Sequence, residues 1–186
     1  MFELELNSGK KGRIWLDEVP PTGFTAQKIC EATVDICEAT TATCGKPHQA
    51  AIELRLFQGS RPVYGFLGAK FSPEETQKLL IQVAVGENET PSFQEFLAVA
   101  PEIIQIGISE EYVPAILKKA LEVQEELSSV PSGKITFNCA AHGLFSSNLI
   151  TFGFLSQTIM LTIGLLCKET PQDKVLKFVE SMINDF

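Results

Sequence analysis

His142 is the residue best placed to do chemistry. It follows the alternating run Ile135-Thr136-Phe137-Asn138-Cys139 and precedes Ser146-Ser147, where a helix is expected to start. A histidine beside a cysteine and a serine-rich helix start is material for a nucleophile–base pair. Cys139 or Ser146 would attack, His142 would take the proton, and backbone N–H groups would receive the developing charge. Two features weigh against it. Cys139 lies three residues back on a strand, so the two side chains need not converge, and no obvious acidic residue stands by to orient the imidazole. A turn histidine with Ser146 as a helix cap is the preferred reading.

A second group lies on Phe57-Gln58-Gly59-Ser60-Arg61-Pro62-Val63-Tyr64. Gln58, Arg61 and Tyr64 combine a cation, an amide and an aromatic ring, a set suited to stacking on RNA bases. The same residues also make an ordinary hairpin turn with no function, the reading preferred here. Lys10-Lys11-Gly12-Arg13 is a basic cluster on another turn and reads as solvated. The five cysteines form no Cys-x-x-Cys pair, and His48 has no ligand-type neighbours in sequence, so no metal or other cofactor is expected. Cys30 and Cys37, seven apart on an expected helix, read with the other thiols as small buried apolar residues.

Charge narrows the partners. Residues 1–70 carry 8 basic and 8 acidic side chains; residues 71–186 carry 7 and 15, which accounts for the net −8. Nucleic-acid backbones are bound mainly by Lys and Arg that displace counterions. Broad nucleic-acid binding is therefore not expected.

The elements that must position these residues read as α+β. Phe2–Leu6 and Arg13–Leu16 suggest a hairpin, and Pro20-Pro21-Thr22-Gly23 a break. Residues 25–40, with Ile29, Ala32, Thr33 and Ile36 at helical spacing, predict a helix. Ile52–Leu56 and Val63–Ala69 predict paired strands. Ser72-Pro73-Glu74-Glu75 has the cues of a short helix start, and Ile81–Val85 of a strand. Helices are expected over Glu110–Leu127, Ser147–Cys167 and Pro171–Asn184, with a strand at Ile135–Cys139. The division expected is an N-terminal hairpin and helix, 1–44, packed on a main domain, 45–186.

Leu149–Cys167 is 19 residues long and apolar enough to cross a membrane, yet its Thr, Ser and Gln content favours a buried helix. The N-terminus lacks the cationic start of a signal peptide, and Asn88-Glu89-Thr90 reads as a chance sequon. A cytoplasmic protein is expected. The uncharged stretch 135–167 offers a sheet edge or helix face for a homodimer.

Four segments, in order, resemble the fourth domain of elongation factor G. Gly45-Lys46-Pro47 is similar to the opening of that domain. Gly59, Arg61, Tyr64 and Gly65 fit part of its Ser-Gly-Gly-Arg-Gly-Gln-Tyr-Gly loop. Glu111-Tyr112-Val113-Pro114-Ala115-Ile116, and then His142 with Ser146-Ser147, match its helix start and its His-x-x-x-Ser-Ser turn. The resemblance covers about residues 45–165 and implies the ribosomal protein S5 domain 2-like βαβ fold, extended here by the N-terminal segment and a C-terminal helix. It also implies a non-catalytic module that contacts the ribosome or another protein. The departures are specific. No GxxxxGK[S/T] loop is present, so no GTPase engine accompanies the domain. Ser60 and Pro62 replace family glycines, and Gly143 and Phe145 replace the two Asp of the family's turn.

Overall fold

A computed structural model describes residues 1–7, 9–18, 20, 24–36, 44–88, 95–127 and 129–186. The chain is α+β, with one 8-stranded sheet and three α-helices among the described residues. The strands are β1 (Phe2–Glu3), β2 (Lys11–Leu16), β3 (Lys28–Asp35), β4 (His48–Gln58), β5 (Arg61–Pro73), β6 (Lys78–Asn88), β7 (Ile104–Ile108) and β8 (Gly133–Gly143). A 3-10 turn, Glu110–Tyr112, leads into α1 (Val113–Leu127); α2 (Leu149–Cys167) and α3 (Gln172–Asp185) follow β8. Across the sheet the order is β1-β2-β4-β5-β8-β7-β6-β3.

The sheet is antiparallel except where β6 runs parallel to β8, Leu79 to Val83 against Gly133 to Phe137. Farther along β8, β7 takes over as partner, with Ile104 to Ile106 opposite Gly143 to Ala141. β7 therefore enters the sheet as a wedge between β6 and β8 at one end. Parallel neighbours need a crossover, and α1 lies within it, between β6 and β8.

Alternation along the strands builds two apolar faces. One face, with Ile14, Ile52, Leu54, Leu67, Phe71 and Ile81, is covered by α1 and α2. Gly65 permits the close approach of α2, because a Cβ there would stand 2.9 Å from Leu155 and Thr151 side chains. The opposite face carries Trp15, Ala51, Tyr64, Phe66, Cys139 and Ala141, under Phe96, Leu97, Ala98 and Ile104. The N-terminal hairpin joins the same sheet through β2–β4. α3 ties to it through Lys10 Nζ, which donates to the Ile183 and Asn184 carbonyls at 2.8 and 2.9 Å.

Three expectations change. The helix expected over residues 25–40 is β3, paired with β6 from Lys28 to Asp35. Its β-branched Ile29, Thr33 and Val34 fit a pleated edge, and its burial alternates with period 2. The expected helix end, with Cys37, falls outside the described residues, as do residues 21–23 of the break and Glu89-Thr90 of the sequon. No helix starts at Ser72. β5 instead runs through Pro73, and the few residues before β6 are too short a segment for a stable helix. The third change is a bulge. Gly68 pairs with Cys139 and Ala69 with Phe137, leaving Asn138 unpaired, so the alternation of β8 reverses at Asn138.

α2 is the one described helix long and apolar enough to span a membrane, and most of it is buried within the protein.

Candidate functional site

The bulge decides where the chemistry-bearing residues of β8 point. Ile135 and Phe137 face the helices; beyond Asn138, Cys139 and Ala141 belong to the opposite apolar cluster while Ala140 stays on the helix side. His142, in phase with Ala140, meets the Tyr112 ring edge-on at 5.3 Å, and Tyr112 stacks on Phe152 of α2 at 4.2 Å. Cys139 and His142 therefore lie on opposite faces of the sheet, and the structure does not bring them together.

His142 is buried and surrounded by acceptors. Its Nε2 lies 3.0 Å from Gln105 Oε1 and 3.1 Å from Glu87 Oε1, and Nδ1 lies 3.4 Å from the Gly107 carbonyl. Burial pushes the neighbouring Tyr112 phenol up to about 12, so it stays neutral. Ser146 is also buried, and its Oγ has no hydrogen-bond partner among the described residues. The helix cap is Asn148, whose Oδ1 accepts from Thr151 N at 2.9 Å, and not Ser146. Ser147 instead staples the turn to β5. Its Oγ donates to the Tyr64 carbonyl at 2.7 Å and accepts from Gly143 N at 2.9 Å.

Those staples bring the turn after β8 to the β4–β5 hairpin tip, because Tyr64 N also donates to the Ser146 carbonyl. Gln58 and Arg61 are exposed at that tip, around Gly59 at φ 63°. Tyr64 is a correction to the expected binding set. It is 1% exposed, with its ring in the second apolar cluster and its hydroxyl donating to Glu53 Oε1 at 3.1 Å. On β4, Arg55 places its guanidinium 5.5 Å from the Phe57 ring centroid. The adjoining turn and the start of α2 expose Leu144, Phe145, Leu149 and Ile150, with Phe145 at 82% and Ile150 at 70%. Ile103 joins them, since its carbonyl accepts from Leu144 N. Spacing concealed this cluster, because Leu149 and Ile150 read as core positions of a buried helix.

Two buried polar groups were missed altogether. Glu53 is fully buried between the Leu97 N–H at 2.7 Å, Tyr64, and Arg13 at 3.5 Å. Its alternation with Ile52 and Leu54 made it look solvent-facing. The other group joins Cys44, His48 and Cys167, all buried, with ligand atoms within 4.8 Å of one another. His48 starts β4, Cys167 ends α2, and Cys44 precedes β4 in the connection from β3. Asp17 Oδ1 lies 2.8 Å from His48 Nδ1. Only the Cys44-x-x-x-His48 spacing was visible in sequence; the fold supplies Cys167.

No protein-family model and no curated protein matches the chain.

Proposed function

We propose that this chain is a non-catalytic binding domain that docks a ribonucleoprotein through the end of the sheet carrying Arg61 and Phe145. The carrying observation is the exposed apolar cluster Leu144, Phe145, Leu149 and Ile150 stapled beside the Arg61 tip. Contiguous exposed apolar groups rimmed by polar ones mark interaction surfaces. A cation–aromatic tip suits bases and phosphates, and an apolar cluster suits protein, and a ribonucleoprotein offers both. The acidic remainder of the chain confines such contact to this end.

The fold proposed is S5 domain 2-like, as in the fourth domain of elongation factor G. The order β4, β5, β6, then after the short β7, α1, β8 and α2, with β6 parallel to β8 and both helices on one face, supports that relation.

The test is co-sedimentation with purified ribosomes at physiological salt, with Arg61→Glu and Phe145→Asp alongside. Wild-type chain at micromolar concentration should sediment with ribosomes, and each variant should stay in the supernatant. Failure of the wild-type chain to sediment would overturn the ribosome reading. Binding that survives both substitutions would overturn the assignment of the surface.

A further inference from the structure

Cys44 in the connection before β4, His48 at the start of β4 and Cys167 at the end of α2 bury their ligand atoms in one place. Two sulfurs and an imidazole are a donor set that favours zinc. The ligand atoms of a tetrahedral zinc site stand about 3.5–3.8 Å apart, given its bond lengths. The present spacing, within 4.8 Å, is thus about one ångström of side-chain motion from ligation.

The surroundings supply what such a site requires. A zinc-ligating histidine commonly donates its other ring N–H to a carboxylate, which fixes the tautomer. His48 Nδ1 meets Asp17 Oδ1 at 2.8 Å, which makes Nδ1 the donor and leaves Nε2 with its lone pair. Asp17 is itself held in place. It sits at φ 54°, donates its N–H to the Gln49 carbonyl at 2.7 Å, and accepts at its own carbonyl from the Gln49 side chain at 3.0 Å. A left-handed residue pinned in this way is strain spent on aiming a side chain. Cys167 ends α2, where the helix dipole favours a cation.

We propose that Cys44, Cys167 and His48 bind a zinc ion, His48 through Nε2 with Asp17 as the positioning carboxylate behind it. Binding releases the two thiol protons to solvent, including the one Cys44 now donates to the Lys46 carbonyl at 3.1 Å. His48 also lines a cleft of about 380 Å³ with Asp17, Lys46 and Lys70. The ion clamps the end of α2 to the start of β4, a role separate from docking at the Arg61 tip.

Cobalt(II) is the probe. Reduced, chelator-stripped chain is titrated with Co²⁺, following the thiolate-to-cobalt charge-transfer absorbance, and Zn²⁺ is then added in competition. One Co²⁺ per chain, displaced by Zn²⁺, is expected. Cys44→Ser, Cys167→Ser and His48→Gln should lose stoichiometric binding, and Asp17→Asn should weaken it about 10–100-fold. Cys30→Ser and Cys139→Ser should bind as wild type does. Circular dichroism checks each fold; if a buried Cys variant does not fold, His48→Gln and Asp17→Asn decide. No uptake by the reduced wild-type chain would overturn the proposal. So would absorbance that survives in the folded variants, or a Cys44–Cys167 disulfide in chain isolated anaerobically.

Discussion

Tyr64 and Glu53 meet across the β4–β5 ladder, one diagonal step off register, with the phenol donating to the carboxylate at 3.1 Å on the face turned away from α1 and α2. Burial pushes the Glu53 carboxyl above its ordinary value near 4.5, against the opposing pull of Leu97 N–H, Tyr64 and Arg13. Burial likewise pushes Tyr64 well above its ordinary range, so it remains a donor.

A raised carboxyl means that the folded chain holds this proton more tightly than the unfolded chain does. The contribution is fully present below 4.5 and is lost as pH rises through the folded value, above which a buried anion persists. Glu53→Gln keeps an acceptor for Leu97 and Tyr64 but cannot ionise. Urea unfolding from below pH 4.5 up to neutrality should show wild type losing stability relative to this variant. Parallel curves would sink the idea.

Phe145 makes its backbone contact through its N–H, which donates to Glu102 Oε1 at 3.0 Å, while its ring stands in solvent. Phe145→Asp should therefore change the unfolding free energy by no more than about 0.5 kcal/mol. A larger loss in urea melts would mean that the ring is packed, and that the variant's loss of docking is a folding defect.

The sequence carried the N-terminal hairpin and the β4–β5 pair, because Ile52, Leu54 and Leu56 alternate with Glu53 and Arg55 and turn residues separate the paired runs. It failed at β3 for a physical reason. This edge strand has one exposed and one partly buried face and no fully buried one, so Ile29, Ala32, Thr33 and Ile36 fit a helical period as readily as a pleated one. The β8 bulge was illegible too, since Ile135, Phe137 and Cys139 alternate perfectly in sequence, and only the register of β5 reveals the reversal at Asn138. Glu53 and the Cys44–His48–Cys167 cluster depend on neighbours from distant elements. No local spacing could announce them.

Gln124, buried near the end of α1, closes the turn into β8 by pairing its amide with one peptide group. Its Nε2 donates to the Val130 carbonyl at 2.9 Å, and its Oε1 accepts from Val130 N at 3.0 Å. Gln124→Leu keeps the volume and strands both backbone groups in the interior, each costing about 1–3 kcal/mol. The unfolding free energy should fall by about 2–4 kcal/mol. Gln124→Glu should also destabilise, because it removes the donor and buries a charge. A Leu variant as stable as wild type would mean that water reaches Val130.

Gly107 holds the wedge that lets β7 enter between β6 and β8. Its φ is 120°, a conformation L side chains rarely adopt, and a Cβ there would stand 1.9 Å from the Gly86 carbonyl oxygen. The obstacle is backbone, so no rotamer change relieves it. Gly107→Ala must either force β7 away from Gly86 and Glu87, breaking the β6–β7 ladder, or distort its own dihedrals. The cost should be at least about 3 kcal/mol. The damage should also be local, because the Gly107 carbonyl and Gln105 on β7, with Glu87 on β6, are the acceptors around the His142 ring. Amide hydrogen exchange should therefore rise in β7 and around His142 before it rises in β4 and β5. Uniform acceleration across the sheet would show that the wedge unfolds only with the whole domain.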